Sequence, residues 1–489
     1  MSGGSRLSER IAEVLAIDPA ANAIEFGGRW RSWGQLADTA AQAAKLVDQP
    51  GAEVGILLRN RPASIGLLLG VLSAGGCVVT INPGRGRDRT RADLAGLDLP
   101  VLAGEPADLA ELVPEGSRAT TAAATDLGEP VIVEPGTHSG GASRPEVAVR
   151  MLTSGTTGAP KRIDLTYPTL ERVLVGNKHY GSTHETSSQL RNGVAVVNSP
   201  LVHLGGLFRV LTCVTDGRSF AFLERFTVDE WADAVRRHRP ATASLVPAAL
   251  RMVLEADLDP ADLASLRSVV SGTAPLDPDD ADAFEARYGI PVLGTYAATE
   301  FGGSVAGWNV KDHAAFWADK RGSVGRAQAG CELRVVDPAT GDPVAADAEG
   351  LLEVKAGQLG GGDWVRTTDL ARIDADGFLY ILGRADQAII RGGFKVLPED
   401  IKAALERHDA VRFAAVVARD DRRLGAVPVA AVELKDGANA TPDDLTAYAG
   451  AVLARYEIPT EIKIVPVLPR TDSGKVDQLA VSALFEAEA

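Results

Sequence analysis

The stretch LTSGTTGAPKRIDLT, residues 152–166, places two glycines and several hydroxyl side chains just before a lysine. Gly155 and Gly158 let backbone N–H groups approach anionic oxygens, to which the hydroxyls can also donate. The preceding VAVRML alternates like a strand, and Ile163 and Leu165 continue the alternation after the loop. The pattern predicts a strand, a phosphate-binding loop and a second strand. A flexible surface hairpin is the alternative.

The same stretch does not match a Walker-type phosphate loop. That motif requires glycine directly before the lysine and serine or threonine directly after it, the latter to hold magnesium. Here Pro160 precedes Lys161 and Arg162 follows it. The strand predicted after the loop also leaves no helix N-terminus to face a phosphate. A phosphate site of another type is therefore expected.

The composition is that of an ordinary globular protein. The chain has 489 residues, of which 45% are hydrophobic and 24% charged, and this length favours two or more domains. Lys and Arg total 50 against 65 Asp and Glu, a formal net charge of -15. This excess argues against a general nucleic-acid or anionic-membrane binder, because both need broad positive potential. It is compatible with a local basic pocket for an anionic ligand.

Cysteine usage and hydropathy favour a reducing cytosol. Cys77, Cys213 and Cys331 lie far apart and in no metal-binding spacing, so a disulfide framework is not expected. The N-terminal residues lack the long apolar core of a signal peptide. The most apolar run, residues 65–81, is interrupted by glycines and is short for a bilayer span. It predicts a buried helix, a glycine break and a buried strand.

The order of patterns along the chain predicts an α/β fold. Amphipathic helical segments alternate with apolar strands such as EVGILL, which favours a largely parallel sheet. A low-complexity region ending at Glu146 predicts exposed loop with one strand, PVIVE. The α/β pattern resumes over residues 147–310. From 320 to 382, short strands and turns that include Asp376-Gly377 predict a β-rich subdomain.

The C-terminal residues predict a separate small α+β domain. LPEDIKAALERH is expected to form a helix with Pro398 in its first turn, and a second helix to begin at Thr441 with Asp444 completing a capping box. RFAAVVARD, VPVAAVEL and EIKIVPVL predict strands. The expected apolar face of the first helix comprises Leu397, Ile401, Ala404, Leu405 and His408.

LTSGTTGAPK resembles the signature phosphate loop of the adenylate-forming superfamily: acyl- and aryl-CoA synthetases, peptide-synthetase adenylation domains and beetle luciferase. Further matching motifs follow in the family's order and cover most of residues 20–480. The resemblance implies a large N-terminal domain, 1–385, of stacked α/β subdomains plus a β-rich subdomain, and a small mobile α+β C-terminal domain, 386–489. The ATP-binding loop that it implies comprises Thr153, Ser154, Gly155, Thr156, Thr157, Gly158 and Lys161.

Two motifs resemble the walls of the acid and adenine pockets. In NSPLVHLGG, His203 matches the histidine or aromatic residue that borders the acyl group; taken alone, a histidine beside apolar residues is more often a packed core residue. SGTAPL resembles the turn beneath adenine, with Thr273 where the family often has glycine. The resemblance implies that the acid pocket is also lined by Leu204, Gly205, Phe208 and Thr273. It implies nucleotide contacts by Thr273, Ala274 and Pro275.

GTYAATEFG resembles the family's Tyr-Gly-x-Thr-Glu motif. Ala297 replaces the family's glycine and, with Ala298, would line a tighter acid pocket. Outside this context, a Thr-Glu pair is an ordinary solvated turn. The resemblance assigns Tyr296 to stacking near adenine, Thr299 to phosphate contact, and Glu300 together with Thr156 to Mg²⁺.

Two motifs near residue 380 resemble the ribose site and the domain hinge. In WVRTTDLARID, Asp369 matches the acid that accepts both ribose hydroxyls, a bidentate role suited to a carboxylate. Val365 and Thr368 depart from the family's Tyr and Gly. GRADQAIIRGGFKVLPEDI is the most specific match. It implies a ribose and phosphate contact by Arg384, a hinge at Asp386, and a thiol tunnel lined by Gly392 and Gly393.

PRTDSGKVDQ resembles the closing motif that carries the catalytic lysine, here Lys475. An isolated lysine after Ser-Gly is usually a solvated turn residue, and the distance of Lys475 beyond the hinge motif supports the catalytic assignment. The resemblance implies two half-reactions. A carboxylate attacks the α-phosphate of ATP while Lys475, the loop and Mg²⁺ offset the negative charge. After rotation about Asp386, a thiol attacks the acyl-adenylate.

The implied function is a cytoplasmic carboxylate–CoA ligase that uses ATP, Mg²⁺ and coenzyme A, similar to standalone fatty-acid and aryl-acid ligases. The apolar pocket favours an aryl, alkyl or polyketide-like acid. One alternative is an adenylating enzyme whose acceptor is an amine or a carrier-protein phosphopantetheine. Another is a regulatory nucleotide binder, which would lack Lys475, Glu300 or Asp369; all three are present. The oligomeric state is open, with a homodimer among the options.

Overall fold

The computed structural model describes residues 5–138, 141–153, 161–175, 189–360, 362–391, 394–471 and 474–486. These residues divide into two compact units, one within 1–154, 160–332 and 355–363, the other within 333–354 and 364–489. This division groups the β-rich segment with the C-terminal residues. The domain boundary expected between residues 385 and 386 stays a prediction.

The first unit combines helices and strands throughout its length. Its helices are α1 (Arg6–Ile17), α2 (Trp33–Ala43), α3 (Pro62–Ser73), α4 (Arg87–Leu97), α5 (Pro106–Leu112), α6 (Tyr167–Leu174), α7 (Leu204–Thr215), α8 (Val228–His238), α9 (Pro247–Glu255), α10 (Pro260–Leu263), α11 (Pro278–Tyr288) and α12 (Val310–Phe316). Its strands are β1 (Asn22–Phe26), β2 (Arg29–Ser32), β3 (Glu53–Leu57), β4 (Cys77–Ile81), β5 (Val101–Gly104), β6 (Thr120–Ala123), β7 (Ile132–Glu134), β8 (Val147–Thr153), β9 (Lys161–Thr166), β10 (Arg191–Val197), β11 (Arg218–Phe222), β12 (Thr242–Ser244), β13 (Ser268–Ser271), β14 (Val292–Ala298), β15 (Gly303–Gly307) and β16 (Arg326–Ala327).

One sheet of the first unit runs in the order β7-β6-β5-β3-β4-β8-β9. Its inner strands are parallel, whereas β7 and β9 pair antiparallel at the edges. Every residue of β3 and β4 is buried, as expected for parallel strands covered on both faces. The buried helix, glycine break and buried strand predicted for residues 65–81 are confirmed as α3 and β4.

The described part of the low-complexity region contains one strand that the sequence does not predict. Besides β7, which matches PVIVE, residues Thr120–Ala123 form β6 and pair parallel with β5. The expectation of a single strand there was wrong, because a run of Thr and Ala has little apolar periodicity. Ala122 is fully buried. The strand is therefore stabilised by its place in the sheet and not by its own hydrophobicity.

Two further sheets belong to the described part of the first unit, in the orders β10-β11-β1-β2 and β12-β13-β14-β15-β16. Strands β12, β13 and β14 are parallel, so their carboxyl ends meet at one edge, and β15 pairs antiparallel with both β14 and β16. The helices cover these strands with large apolar side chains, among which Trp231 and Phe284 are fully buried. Among the described helices, none combines the length and hydropathy of a membrane span.

Apart from Glu332 and Lys355, the strands of the β-rich segment belong to the second unit, and their sheet has the order β17-β18-β19-β20. Its strands are β17 (Glu332–Val336), β18 (Gly350–Lys355), β19 (Val365–Ile373) and β20 (Leu379–Arg384). The predicted Asp376-Gly377 turn joins β19 to β20 and is confirmed. Gly377 has a φ of 84°, and Asp374 Oδ1 accepts from the N–H groups of Asp376 and Phe378.

The remainder of the second unit has the strand order β22-β21-β24-β23, with β25 parallel to β24. It comprises β21 (Ile389–Arg391), β22 (Phe394–Val396), α13 (Pro398–Glu406), β23 (Val411–Asp421), β24 (Gly425–Leu434), α14 (Pro442–Val452), β25 (Glu461–Val465) and α15 (Gln478–Glu486). The predicted capping box of α14 is confirmed: Asp444 N–H donates to Thr441 Oγ1 at 3.2 Å and Thr441 N–H to Asp444 Oδ2 at 2.9 Å.

The apolar face predicted for α13 is right at its centre and wrong at its ends. Ile401, Ala404 and Leu405 are buried on the helix. Leu397 precedes the helix because Pro398 takes its first position. His408 follows it in a turn, where its Nδ1 accepts from the Ala410 N–H at 3.2 Å and its ring lies edge-on to Tyr448.

Candidate active site

The stem of the predicted phosphate loop is an antiparallel hairpin. In β8 and β9, Thr153 lies opposite Lys161 and Leu152 opposite Arg162. The chain enters β9 after the loop, and α6 begins only at Tyr167. The strand–loop–strand prediction is thus confirmed for the strands, as is the mismatch with a Walker-type loop. Outside the described residues lie Ser154, Gly155, Thr156, Thr157 and Gly158, and the side chain of Thr153.

Arg162 anchors this stem to neighbouring elements. Its Nη1 donates to the Thr80 carbonyl at 2.9 Å, and its Nη2 donates to Asp93 Oδ2 at 2.6 Å. Burial lowers the pKa of the Arg162 guanidinium, and the Asp93 carboxylate acts in the opposite direction. The pair links β9 to β4 and α4 directly beside Lys161, whose side chain is exposed.

An ion-pair network holds the same hairpin farther from the loop. Arg150 donates through Nη1 to Glu53 Oε1 at 2.7 Å and through Nε to Asp164 Oδ1 at 3.0 Å. Arg144 Nε donates to Glu53 Oε1 at 2.9 Å. Glu53 is buried, so its carboxylate depends on these two cations for compensation. Both strands of the stem are therefore fixed to the sheet on the side away from the loop.

The turn expected beneath adenine directly follows β13. Gly272 approaches β14 so closely that a Cβ at this position would lie 2.7 Å from Cγ2 of Thr295. Because β13 and β14 are parallel, this turn and the Tyr296 segment emerge at the same edge of the sheet. Residues 273–275 are exposed there. Thr273 has a φ of 73°, a left-handed conformation that a β-branched residue rarely adopts.

The predicted Thr-Glu pair lies at the tip of the β14–β15 hairpin. Thr299–Phe301 form a 3-10 turn that ends at Gly302, with a φ of 64°. Phe301 anchors the turn in the core, and its ring lies 6.1 Å from that of Tyr296. Glu300 is exposed, and its carboxylate has no hydrogen bond or ion pair with any residue that the structure describes. The turn thus fixes the backbone and leaves this carboxylate accessible to a ligand.

Polar side chains outside the motifs brace the strand that carries Tyr296. Ser304 Oγ lies 2.6 Å from Thr295 Oγ1 and accepts from Gln328 Nε2 at 2.9 Å. The buried Gln358 donates to the Ser304 carbonyl at 3.4 Å. Sequence reasoning missed these residues, because no local pattern connects positions so far apart in the chain.

The residues predicted to line the acid pocket lie on three elements, one of which is the turn after β13 that contains Thr273. Ala297 is exposed and Ala298 half-buried on β14. His203 is the N-cap residue of α7 and is half-buried. The first turns of α7 contain the other predicted pocket residues: Leu204 and Phe208, which pack against the core, and Gly205, which faces open space.

In the second unit, the residues predicted to contact ribose lie together where the end of β20 pairs with the middle of β19. Asp369 is opposite Arg384 across the two strands. Arg384 donates to both carboxylate oxygens of Asp386, at 2.9 and 2.7 Å. Its Nη2 also donates to Thr368 Oγ1 at 2.6 Å. Thr368, which departs from the family's glycine, therefore helps to orient the guanidinium.

Lys475 lies three residues before α15. Its carbonyl accepts from the Thr471 N–H at 2.7 Å, and Gly474 N–H donates to the Thr471 carbonyl at 2.8 Å. The side chain of Lys475 is exposed. These two hydrogen bonds hold the backbone next to a lysine whose side chain lies at the surface of the second unit. Gly392 and Gly393, predicted to line the thiol tunnel, lie outside the described residues.

The structure brings two local groups of predicted residues together. In the first unit, the 273–275 turn and the Tyr296–Glu300 segment share one sheet edge. In the second unit, Asp369, Arg384 and Asp386 form a cluster. The functional roles given to these residues stay predictions. The sequence marks Arg162 as a departure from a Walker-type motif and Thr368 as a departure from the family's glycine. It does not indicate which groups these two side chains contact.

Family models match the chain over most of its length. The AMP-binding enzyme model matches residues 11–362, and the model of the AMP-binding enzyme C-terminal domain matches residues 400–475. A sulfoacetate–CoA ligase from Cupriavidus necator is 31% identical, with 95% of this chain and 93% of that protein aligned.

Solved structures agree with the predicted fold class. ATP-bound MatB from Rhodopseudomonas palustris superposes with a TM-score of 0.81 at 22% identity, covering 99% of each chain. The amide bond synthetase McbA from Marinactinospora thermotolerans superposes with a TM-score of 0.77 at 25% identity, covering 98% of this chain and 100% of that one. The predicted α/β fold with a large N-terminal and a small C-terminal domain is confirmed.

Proposed function

The protein belongs to the AMP-binding enzyme family, and from this premise we propose that it is a carboxylate–CoA ligase. It would activate a carboxylic acid with ATP as an acyl-adenylate, release pyrophosphate, and pass the acyl group to the thiol of coenzyme A. One observation carries this proposal. The likeness to a CoA ligase extends over 95% of the chain and therefore spans both matched family domains.

In the adenylation step, an oxygen of the acid's carboxylate would attack the α-phosphorus of ATP, and the bond to pyrophosphate would break. Two anions meet in this step, so alignment and charge compensation are the main catalytic tasks. Lys475 would approach the carboxylate and the α-phosphate, and Lys161 with its loop would bind the outer phosphates. Tyr296 would stack near adenine, and Asp369 would accept from the ribose hydroxyls.

The residues present fit a magnesium ion that arrives with ATP. Glu300 offers an exposed carboxylate with no competing partner among the described residues. Mg²⁺ commonly takes only one or two carboxylates and completes its shell with water and phosphate oxygens. Among the described residues there is no cluster of three or more ligating side chains. When bound, the ion would neutralise charge on the phosphates. Thr156, the second predicted ligand, lies outside the described residues.

In the second step, the thiol of coenzyme A would attack the acyl carbon, and AMP would leave with the electrons of the acyl–phosphate bond. Gly392 and Gly393 would border the path of the pantetheine arm, since residues without side chains leave room for it. Asp386 would be the hinge about which the small domain rotates between the two steps. In the present structure Asp386 forms a bidentate ion pair with Arg384, which such a rotation would have to accommodate.

The acid would be compact. Ala297 and Thr273 add side-chain atoms where the family's motifs have glycine, and both would face the acid. Leu204 and Phe208 contribute an apolar wall. We therefore propose a small aryl or alkyl acid, and the sulfoacetate–CoA ligase shows that relatives include a ligase for a short acid.

An amide synthetase is the second candidate, because McbA superposes over 98% of this chain at 25% identity. The adenylation residues would be the same, and the acceptor would be an amine in place of the thiol. The 31% identity to a CoA ligase favours the thiol.

The proposal is tested by incubating the protein with ATP, Mg²⁺ and a panel of carboxylic acids. Acid-dependent exchange of labelled pyrophosphate into ATP reports the first step. Adding coenzyme A should then yield AMP and an acyl-CoA detectable by mass spectrometry. Adenylate formation without thioester, but with amide when an amine is supplied, would replace the first candidate by the second. Background exchange with every acid would contradict both.

We also propose a cytoplasmic location, supported by the state of the cysteines. Cys77, Cys213 and Cys331 are free, buried thiols. Burial raises the pKa of Cys77 to about 12 and that of Cys213 to about 11, so neither forms a reactive thiolate at neutral pH. Such thiols suit a reducing compartment, where ATP and coenzyme A are also available.

A further inference from the structure

We infer that Asn60 is a positioning residue for the acid side of the active site: it holds the segment before α7 and thereby sets the location of His203. The inference rests on the proposed function, because the resemblance assigns His203 to the acyl pocket. It concerns binding of the acid and not of ATP.

Asn60 lies between β3 and α3, and its side chain bridges two other connections of the first unit. Nδ2 donates to the carbonyl of Ser199 at 3.2 Å and to that of Leu223 at 3.0 Å. Oδ1 accepts from the Leu201 N–H at 2.7 Å. Two carbonyls face the NH₂ group and one N–H faces the oxygen, so the surroundings determine which way the amide points.

The bridge is buried, which makes it costly to break. Asn60 is 8% exposed and Leu201 is fully buried. A buried N–H or carbonyl that loses its partner is destabilised because water does not reach it to replace the bond. The Asn60 amide therefore clamps the β10–α7 connection and the end of β11 to the β3–α3 connection.

The clamped segment leads directly into α7. The His203 N–H donates to the Pro200 carbonyl at 3.1 Å, and the Leu207 N–H donates to the His203 carbonyl at 2.9 Å. Gly206 packs so closely that a Cβ at this position would lie 2.1 Å from the Pro200 oxygen. A displacement of Leu201 would therefore move Pro200 and the first turn of α7 with it, including His203.

Loss of the Asn60 hydrogen bonds should weaken binding of the acid more than binding of ATP. The predicted ATP contacts of the first unit lie on other elements, with Lys161 at the start of β9 and Tyr296 on β14. Neither element takes part in the Asn60 hydrogen bonds. The expected signature is a rise in KM for the acid with little change in KM for ATP, which a residue with a general structural role would not produce.

The test measures both KM values in acid-dependent pyrophosphate–ATP exchange. Asn60→Leu keeps the branched shape and the number of side-chain heavy atoms, and it removes all three hydrogen bonds. We expect KM for the acid to rise about tenfold or more and KM for ATP to stay within about twofold of wild type. Tyr167→Phe is the matched control, since it removes two buried bonds, to the carbonyls of Leu72 and Gly76, without touching the clamp. Both KM values should stay near wild type in the control.

An unchanged KM for the acid in Asn60→Leu would overturn the inference, as would parallel rises in both KM values. If Asn60→Leu fails to fold, Asn60→Ser is measured in the same way, because its shorter hydroxyl weakens the clamp with less loss of stability. The same selective rise is expected, and its absence would again overturn the inference. Lack of exchange by the wild type with every acid would instead contradict the proposed function.

Discussion

Replacing Arg162 with alanine should weaken both the fold of the first unit and its binding of ATP. The variant loses a 2.6 Å charge-assisted bond to Asp93 and a 2.9 Å bond to the Thr80 carbonyl. Because Arg162 is opposite Leu152 in the hairpin, the two strands that flank residues 154–160 lose their link to α4 together. Lys161 is the neighbouring residue and should shift with the stem.

The expected loss of unfolding free energy is about 3–6 kcal/mol, from about 1.5–3 kcal/mol for each of the two hydrogen bonds that the charged guanidinium donates. The Arg162 side chain is 9% exposed and that of Asp93 17%. Solvent therefore screens this pair little, and the value should exceed the roughly 0–1 kcal/mol of a surface ion pair. Partial hydration of Asp93 in the variant will offset some of the loss.

Urea unfolding measures the stability, and pyrophosphate exchange measures KM for ATP, which we expect to rise about tenfold because a positioning group has moved. Arg150→Ala is the matched control in the same hairpin. It removes bonds to Glu53 and Asp164 farther from the loop. This control should lower the stability while KM for ATP stays near that of the wild type.

A double-mutant cycle with Asp93→Ala tests whether the pair acts as a unit. Two residues in direct contact should couple by about 0.5–3 kcal/mol. Additive losses in the double variant would show that the Arg162–Asp93 bond contributes nothing of its own. An equal rise in KM for ATP in Arg150→Ala would refute the positioning argument, since any damage to the hairpin would then suffice.

Three other variants test separate parts of the account. Lys475→Ala should abolish adenylation from acid and ATP yet spare thioester formation from a preformed adenylate; equal loss in both assays would contradict its assignment to the first step. Burial acts to raise the pKa of Asp126, but the Arg31 guanidinium and the Leu127 N–H outweigh it and hold the pKa below its usual value. The stabilisation is therefore present above about pH 4 and lost as pH falls through the folded-state pKa. In urea unfolding, Asp126→Asn should cost about 1.5–3 kcal/mol at pH 7, and a difference that persists undiminished at pH 3 would argue against this linkage. Thr273→Gly should raise Tm slightly, because relief of about 1–2 kcal/mol of left-handed strain exceeds the roughly 0.5–1 kcal/mol entropic cost of glycine; a lower Tm would show that the threonine is not strained.

The elements with strong local patterns could be predicted from the sequence. The mainly apolar runs of β3 and β4 and the Thr441–Asp444 capping box of α14 each specify their structure within a few residues. β6 could not be predicted, because pairing with β5 determines it and its own Thr and Ala residues carry no periodicity. His408 was misplaced for a related reason: the spacing fits a helix, yet α13 ends at Glu406 and His408 packs on Tyr448.

The candidate site shows the same division between local and long-range information. Motif order identified Tyr296, Glu300 and Asp369 as candidates, because their spacing resembles a family pattern. The side chains that support the site were not identifiable. Asn60 and Leu201 are 141 positions apart, and Gln358 acts on Ser304 from 54 positions away. Such partners come together only in the folded chain, so their importance could be recognised only from the contacts in the structure.

Three glycines of the family's motifs are replaced in this chain, and the replacements differ in their physical consequences. Ala297 and Thr368 lie in extended strands, which accept side chains, and Thr368 gains a hydrogen bond from Arg384. Thr273 instead keeps a left-handed φ of 73° despite its branched side chain. Strained backbone persists only where its surroundings determine it, and here the close approach of Gly272 to β14 supplies that constraint. The packing of Gly272, and not the residue at 273, therefore sets the path of the turn, so a threonine could enter it without redirecting the chain.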